Sequence, residues 1–526
     1  MEKVQRKNGE TKEIIRRYRT FRYELIAEGV AVGALSGLVV VAFRYLVAYG
    51  DAILHAILNF ARENLWCIPL WFVFLLAAAF VVSKLLQWEP LISGSGIPQV
   101  EGEMLGEFDS CWYRVLLAKL AGGLLSLGCG LSLGREGPSI QLGAMMAKGV
   151  SRVLGRVKTE EKLLMTCGAT AGLSAAFNAP IAGVLFSLEE IHRHFSPEVL
   201  LSCMASSITA DFVSRNVFGL KPVFHFQDIE MLPLADYGHV LALGLLLGIM
   251  GVVYNRSIKM SQDCFQKIST HTVRLMVPFL LAGIFGFLYP AVLGGGHSLV
   301  EELSSGNMIL CGLLLLFLLK FLFSMVSFGS GAPGGIFLPL LVLGAVIGSI
   351  YYQGADMFFV SLDGFLGNFI ILGMAGYFSA IVRAPITGII LISEMTGSFS
   401  HLLTLSIVSL VAYIVPDFLR CPPIYDQLLH RLLAKEKKTD SNLSHVEKIL
   451  VEGTIAHGSR AEGSRISQMP WPRNCLVVSL MRGEEETLPH GQTKLQAGDR
   501  IVVLCDETAE SSLKKIIQEE CETVEV

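Results

Sequence analysis

The segment GREGPSIQLG (residues 134–143) places two charged side chains, Arg135 and Glu136, between long apolar stretches. Glycines and one proline surround them. An ionisable side chain well inside a membrane costs at least about 2.5–3.5 kcal/mol, so such residues are candidates for function. The segment therefore predicts a polar site inside a membrane, built on a glycine-rich helix start.

The composition agrees with a membrane protein. The chain has 526 residues, of which 52% are hydrophobic and 17% charged, whereas soluble proteins carry about 25% charged residues. Charge concentrates in the first two dozen residues and after about residue 430. The formal net charge of -4 implies no nucleic-acid partner, and the eleven scattered cysteines have no metal-binding spacing. We expect neither a cofactor nor a metal.

Apolar stretches of about 20 residues, enough to cross a hydrocarbon core of about 30 Å, recur along the chain. The basic N-terminal segment, residues 1–24, lacks a cleavage site for a signal peptide and is expected to be a cytosolic helix. In "FNAPIAG", Pro180 should end one helix and begin another. One predicted span begins at residue 134 and returns to the cytosol, and another, 163–191, contains the break at Pro180. The other predicted spans are residues 25–50, 68–87, 115–133, 237–258, 276–293, 308–328, 334–354, 363–381, 383–396 and 402–418.

Two ordered matches indicate an internal repeat. "FNAPIAGVLFSLEE" (177–190) resembles "VRAPITGIILISEM" (382–395), and "GREGPSIQLGA" resembles "GGIFLPLLVLGA". Both offsets are about 200 residues. We infer two related halves, at about 25–220 and 230–430, with a site where their broken helices meet.

Three segments join glycines to a proline expected at the first helical position: "GSGIP" (94–98), "GREGP" (134–138) and "GAPGGIFLP" (331–339). A helix start carries unpaired N–H groups and about half a positive charge. Several starts pointed at one place would bind an anion without a lysine that holds it too tightly. Close helix packing at the glycines is the alternative explanation.

The intramembrane glutamates suggest a link between anion and proton. The Glu136 carboxylate can occupy an anion site when deprotonated and leave it when protonated; the alternative is a helix-capping acid. Glu189 and Glu190 precede the basic "HRH" and are expected nearer the cytosol, unless they are a solvated pair. Glu394 is interpreted as a structural repeat of this acid, and His297 as a loop residue. Arg135 receives no role in transport.

The transmembrane part, residues 20–430, resembles the CLC family of chloride channels and chloride/proton exchangers. The segments "GSGIPQVEG", "GREGPSIQLG", "GGIFLPLLVLG" and "FNAPIAG" carry the resemblance. It implies an all-α polytopic fold of two inverted-topology repeats of broken and tilted helices, and a homodimer in the inner membrane with cytosolic termini. It implies a chloride site formed by the Ser95 hydroxyl, the amides of Ile336 and Phe337, and the Tyr425 hydroxyl.

The same resemblance assigns roles to two acids. Glu136 matches the external gating glutamate of the family. Glu190 matches the internal proton-transfer glutamate that exchangers carry and channels typically lack. Serine at position 95 is similar to chloride-preferring members.

The remaining chain predicts a second module. A polar linker (431–447) leads to residues 448–526, which alternate apolar and polar residues, with turns at Arg482-Gly483 and Ala497-Gly498-Asp499. This pattern predicts a small soluble α/β domain on the cytosolic side. It resembles the C-terminal domain of regulators of potassium conductance (RCK), which implies either regulation by a small ligand or ion, or a dimerising appendage.

The leading function is exchange of chloride for protons by a secondary active transporter. The nearest alternative is a passive chloride channel, gated by voltage or protons, on the same fold. A membrane-embedded enzyme that uses Glu189 and Glu190 with His192 or His194 has no supporting metal or nucleophile spacing, so we expect no enzyme. A sensor with vestigial transport remains a further possibility.

Overall fold

Helices form nearly all of the chain up to residue 439 in the computed structural model of this protein. The structure describes residues 2–156, 158–192, 197–224, 226, 230–357, 362, 364–439, 448–472, 475–483, 485–506 and 510–522, and the side chains of most of them from residue 23 onward. The chain divides into two compact units, Met1–Ala434 and Lys435–Val526. Each is treated by itself below.

Among its described residues, the first unit contains two successive sets of eight helices and one further helix. The first set is α1 Glu2–Glu63, α2 Cys67–Trp88, α3 Ile97–Leu105, α4 Trp112–Gly128, α5 Glu136–Val153, α6 Lys158–Phe177, α7 Pro180–Phe186 and α8 Pro197–Phe218. The second set is α9 Tyr237–Gln266, α10 His271–Leu288, α11 His297–Ser304, α12 Leu310–Gly329, α13 Phe337–Asp356, α14 Leu366–Val382, α15 Pro385–Thr396 and α16 Leu402–Phe418. Helix α17 (Ile424–Thr439) follows.

The two sets repeat each other in element order and in local detail, as the sequence repeat predicts. Single 3-10 turns, Pro90–Ile92 and Pro290–Val292, precede α3 and α11. The expected break in "FNAPIAG" is confirmed, because α6 ends at Phe177 and α7 begins at Pro180. A residue in the left-handed backbone region makes the break in each set: Asn178 (φ 54°) and Arg383 (φ 73°).

Burial divides the helices into central and peripheral ones. Among the described residues, six helices are long and apolar enough to cross a membrane, and α14, α15 and α16 are shorter apolar helices. The most apolar window of Phe337–Asp356 is 72% buried, whereas that of Cys67–Trp88 is 33% buried. Helices α5, α6, α13 and α14 therefore lie at the centre, and the exposed apolar faces of the others suit contact with lipid.

The sequence analysis missed helix α8. Its polar residues lower its hydropathy, but they lie inside the protein: the hydroxyls of Ser206 and Ser207 donate to the carbonyls of Cys167 (2.9 Å) and Pro180 (2.7 Å). Glycines of α1, such as Gly33, lie against the backbone of α8. Helices packed through small residues and internal hydrogen bonds do not need uniformly apolar sequences.

One further expectation needs correction. His297 is not in a loop; it begins α11, and its ring stacks on Phe224 at 5.0 Å between centroids. The described part of the predicted linker, residues 431–439, is helical, since α17 continues to Thr439. The rest of that linker, residues 440–447, lies outside the described residues.

The second unit contains an antiparallel sheet in the order β1-β4-β2-β3. Its elements are β1 Lys448–Thr454, β2 Leu476–Arg482, β3 Glu485–Thr487, β4 Arg500–Asp506 and helix α18 Glu510–Ile516. Gly483 (φ 63°) lies between β2 and β3, and Gly498 (φ 86°) precedes β4. Both predicted turns and the α/β character of this module are confirmed.

Candidate ion-binding site

Backbone hydrogen bonds join the three glycine-proline segments at the centre of the first unit. The Gly134 N–H donates to the Gly335 carbonyl (2.6 Å), and the Gly335 N–H donates back to Gly134 (2.7 Å). The Gly334 N–H donates to the Gly94 carbonyl (3.0 Å). The starts of α3, α5 and α13 therefore meet, as the sequence analysis expected.

Helix α5 begins at Glu136 and α13 at Phe337, and neither has a hydrogen bond from a capping side chain. Their first-turn N–H groups supply partial positive charge at the meeting point. The prolines do not occupy the first helical position; Pro98 is the second residue of α3, and Pro138 and Pro339 are the third of their helices. All of these positions lie in the first turn, where no N–H is needed for a helical hydrogen bond.

Ser95 and Tyr425 lie at this meeting point. Tyr425, in the first turn of α17, is completely buried and faces Ser95. Both hydroxyls are buried, and the Tyr425 hydroxyl lies close enough to Ser95 to interact with it directly. The Phe186 ring packs edge-on against both Tyr425 (6.3 Å between centroids) and Phe337 (5.9 Å), which fixes the tyrosine beside the start of α13.

Gly137 allows Ser95 to lie directly against the first turn of α5. A β-carbon at Gly137 would lie less than 3 Å from both the hydroxyl and the carbonyl oxygen of Ser95. Only glycine permits this approach without displacing the backbone.

The Glu136 carboxylate folds back toward the start of α13. A β-carbon added to Gly134 would collide with a carboxylate oxygen of Glu136 and would lie 3.1 Å from the Leu338 backbone nitrogen. The glutamate is fully buried, and its carboxylate interacts with the backbone N–H groups of Glu136 and Leu338. A negative group therefore lies where the N–H groups of α13 converge.

The paired acids Glu189 and Glu190 have different surroundings. The Glu189 carboxylate accepts from the Thr387 N–H (3.0 Å) and hydroxyl (2.7 Å), at the start of α15. In return, Glu394 on α15 accepts from the N–H groups of Ile181 (3.1 Å) and Ala182 (2.8 Å), at the start of α7. The structural interpretation of Glu394 is confirmed, and Glu189 has the same role.

Glu190 lies on a widened helical turn, Ser187–His192, that packs against α3. It is buried, and both Glu190 and Glu136 are close enough to act electrostatically on the Tyr425 hydroxyl. The grouping with His192 or His194 cannot be placed, since the His192 side chain and the whole of His194 lie outside the described residues.

The sequence analysis missed two buried lysines that support the glycine segments. Lys119 donates to the carbonyls of Ile92 (2.9 Å) and Gly94 (2.7 Å), in the turn that leads directly to Ser95. Lys320 repeats this arrangement toward Val292 (2.8 Å) and Gly294 (2.7 Å). A lysine inside an apolar helix is the signal that could have found them.

In the second unit, Arg482 binds Asp499 through two hydrogen bonds of 2.8 and 2.7 Å. Burial alone would raise the pKa of Asp499, but the bonds from Arg482 and from the Gln496 backbone N–H hold the pKa of this carboxyl below its usual range. The pair fixes the turn before β4, and its stabilising contribution is lost as the pH falls through this lowered pKa.

Comparisons with known proteins agree with the geometry. The family profile described as voltage gated chloride channel matches residues 74–417, and that of the TrkA-C domain matches residues 450–518. The second match confirms the resemblance of the tail to the RCK C-terminal type.

Individual relatives match most of the chain. An H(+)/Cl(-) exchange transporter ClcA of Vibrio campbellii is 37% identical over 435 residues, which cover 80% of this chain and 92% of the relative. A relative of the same name from Vibrio cholerae is 40% identical over 390 residues, covering 72% and 83%. A solved structure of a slow cyanobacterial Cl-/H+ antiporter superposes with a TM-score of 0.74 at 30% identity and covers 78% of this chain and 99% of that one.

Proposed function

Because the chain belongs to the voltage-gated chloride channel family, we propose that it exchanges chloride for protons across a membrane as a secondary active transporter. One observation carries the proposal: a buried carboxylate and two buried hydroxyls lie where helix starts converge. The family consists of transporters rather than enzymes. The relatives named as H(+)/Cl(-) exchange transporters and the related Cl-/H+ antiporter support an exchanger over a channel.

Chloride binds, in this proposal, to the Ser95 and Tyr425 hydroxyls and to the amides of Ile336 and Phe337. The helix starts attract the anion through partial charges. No lysine or arginine side chain is assigned to hold it, so the ion can be released.

Glu136 links chloride to protons. Its carboxylate lies over the start of α13, so a negatively charged Glu136 and a chloride ion compete for the same N–H groups. Protonation removes the charge and with it the attraction to the helix start. Protonation of Glu136 therefore admits an anion, while loss of the proton returns the side chain to the site.

Glu190 serves as the second proton site, toward the cytosol. It is buried near Tyr425, whereas Glu189 is occupied by Thr387. A proton that leaves Glu136 thus has a second acceptor on the other side of the chloride site.

Chloride-driven proton uptake in reconstituted vesicles tests these roles. We expect Glu136→Ala and Glu190→Ala each to abolish proton movement while some chloride flux remains. Glu189→Gln is the matched control, because it changes the adjacent acid but keeps an oxygen that accepts from Thr387.

The channel alternative gives a different result. If the wild-type reversal potential under a proton gradient follows chloride alone, exchange is wrong. Loss of all chloride flux in both alanine variants would contradict the assigned roles.

We further propose where the protein lies, how it assembles and what its C-terminal module does. The protein lies in the inner membrane with both termini in the cytosol, and two copies form a homodimer with one pathway in each. The C-terminal module acts as a regulatory domain that binds a small ligand or ion, which fits its match to the TrkA-C domain.

A further inference from the structure

A basic recess lies in the first unit, away from the chloride site. Residues 256–262 of α9, the loop at residues 419–423 and one face of α17 surround a volume of about 490 Å³. Pockets for small organic ligands have volumes of about 300–1,000 Å³. The recess is therefore large enough for a ligand much bigger than chloride.

The charge lining this recess is of one sign. None of the lining residues is acidic, and five are basic: Arg256, Lys259, Arg420, His430 and Arg431. Arg431 pairs with Asp263, which lies outside the lining.

Three of these cations have no acidic partner among the side chains that the structure describes. They are Arg256, Lys259 and Arg420. Like charges held around one volume repel each other, so an anion between them is favoured.

The wall that carries Arg420 is held in place. Arg383 donates to the carbonyls of Tyr413 (2.8 Å) and Cys421 (3.0 Å), and the Cys421 N–H donates to the Pro416 carbonyl (2.9 Å). Arg420 itself has a left-handed backbone (φ 50°). A wall fixed before binding lowers the entropic cost of ordering it around a ligand.

The recess is separate from the chloride site. It is lined by Ile424, Gln427 and Leu428 of α17, whereas Tyr425 on the same helix faces Ser95 and Phe186. The recess thus contacts the helix that carries Tyr425 from a different side.

We propose that this recess binds a phosphate-bearing anion. Arginine and lysine bind phosphate oxygens through strong charge-assisted hydrogen bonds. Four arginine and lysine side chains grouped around one cavity suit a ligand with more than one negative oxygen. A nucleotide and the head group of an anionic phospholipid both offer this chemistry.

Two probes separate these sources, with the full-length protein purified in detergent. ATP is titrated by calorimetry, and phosphatidylglycerol binding is followed by native mass spectrometry. We expect Lys259→Gln/Arg420→Gln to weaken binding of the active probe at least about tenfold, since two charge-assisted contacts are lost.

The control is Lys84→Gln/Lys267→Gln, which removes the same charge from exposed positions outside the recess. It should change binding by less than about twofold. Gln262→Glu is a second test that removes no existing cation: it adds a negative charge to the lining and should also weaken binding.

Binding of ATP alone identifies a soluble ligand, and binding of phosphatidylglycerol alone identifies a lipid. Binding of both supports the shared phosphate chemistry. The proposal is overturned if neither probe binds, or if the recess and control variants weaken binding equally. None of these outcomes depends on whether the protein exchanges chloride for protons.

Discussion

In the first half of the membrane unit, Lys119 holds the turn before α3, and in the second half Lys320 holds the turn before α11. Each half also supplies an acid that caps a helix of the other half. The Glu189 carboxylate accepts a hydrogen bond from the start of α15, and the Glu394 carboxylate accepts one from the start of α7. These supports occur at the same places in both repeats.

The residues proposed to handle ions do not repeat. Ser95 corresponds to Gly295, Glu136 to Phe337, and Glu190 to Met395. In each pair, only the first half offers a hydroxyl or a carboxylate. The second half contributes chiefly backbone, through the start of α13.

This difference separates scaffold from chemistry. A duplicated chain needs the same supports in both halves, because each half must form the same broken helices. It needs only one set of titratable groups, since a second buried acid at the site would add desolvation cost. Substitutions at matched positions of the two halves should therefore have equal effects on stability at the supports, and unequal effects on ion binding wherever only one half presents a binding group.

The largest difference in chloride affinity between two matched substitutions is expected at Gly137 and its counterpart Leu338. Gly137→Ala places a β-carbon against Ser95, and overpacking of this kind costs about 1–3 kcal/mol. We expect chloride affinity, measured calorimetrically, to fall by about tenfold to a hundredfold.

Leu338→Ala introduces the same residue at the matched position, where a side chain is already present. It should leave chloride affinity within about threefold. Equal losses in the two variants would mean that Ser95 has no special part in binding.

A smaller difference in chloride binding is expected between substitutions of the two buried lysines, Lys119 and Lys320. Both Lys119→Met and Lys320→Met leave buried carbonyls without donors, at about 1–3 kcal/mol for each group. Both should lower thermal stability. Only Lys119→Met should also weaken chloride binding, by about tenfold, because the turn that it holds presents Ser95, whereas the matched turn presents Gly295.

Calorimetric titration of both lysine variants with chloride can also contradict this prediction. If Lys320→Met weakens chloride binding as much as Lys119→Met does, the two turns act as one unit and the proposed separation of scaffold from chemistry fails.

The repeats also explain what the sequence could predict. Glycine, proline and carboxylate positions recur at a fixed offset, so the break at Pro180, the meeting of the helix starts and the structural role of Glu394 were all accessible. Helix α8 was not accessible, because its polar sequence gives no sign that it is buried. Its serine hydroxyls find their hydrogen-bond acceptors only when α8 packs against α6 and α1. The partner of Glu189 was equally hidden, since Thr387 lies 198 residues away.

The smallest effects are expected at the reciprocal acids, where the halves should be equal. Glu189→Ala and Glu394→Ala each remove acceptors from a helix start, a loss typically worth about 1 kcal/mol. We expect similar small decreases in thermal unfolding temperature, and smaller ones for the glutamine variants, which keep one acceptor oxygen. The ratio of protons to chloride should stay at the wild-type value in all four. A changed ratio in Glu189→Ala but not in Glu394→Ala would place Glu189 on the proton path beside Glu190, and the two halves would then differ at a support as well as at the site.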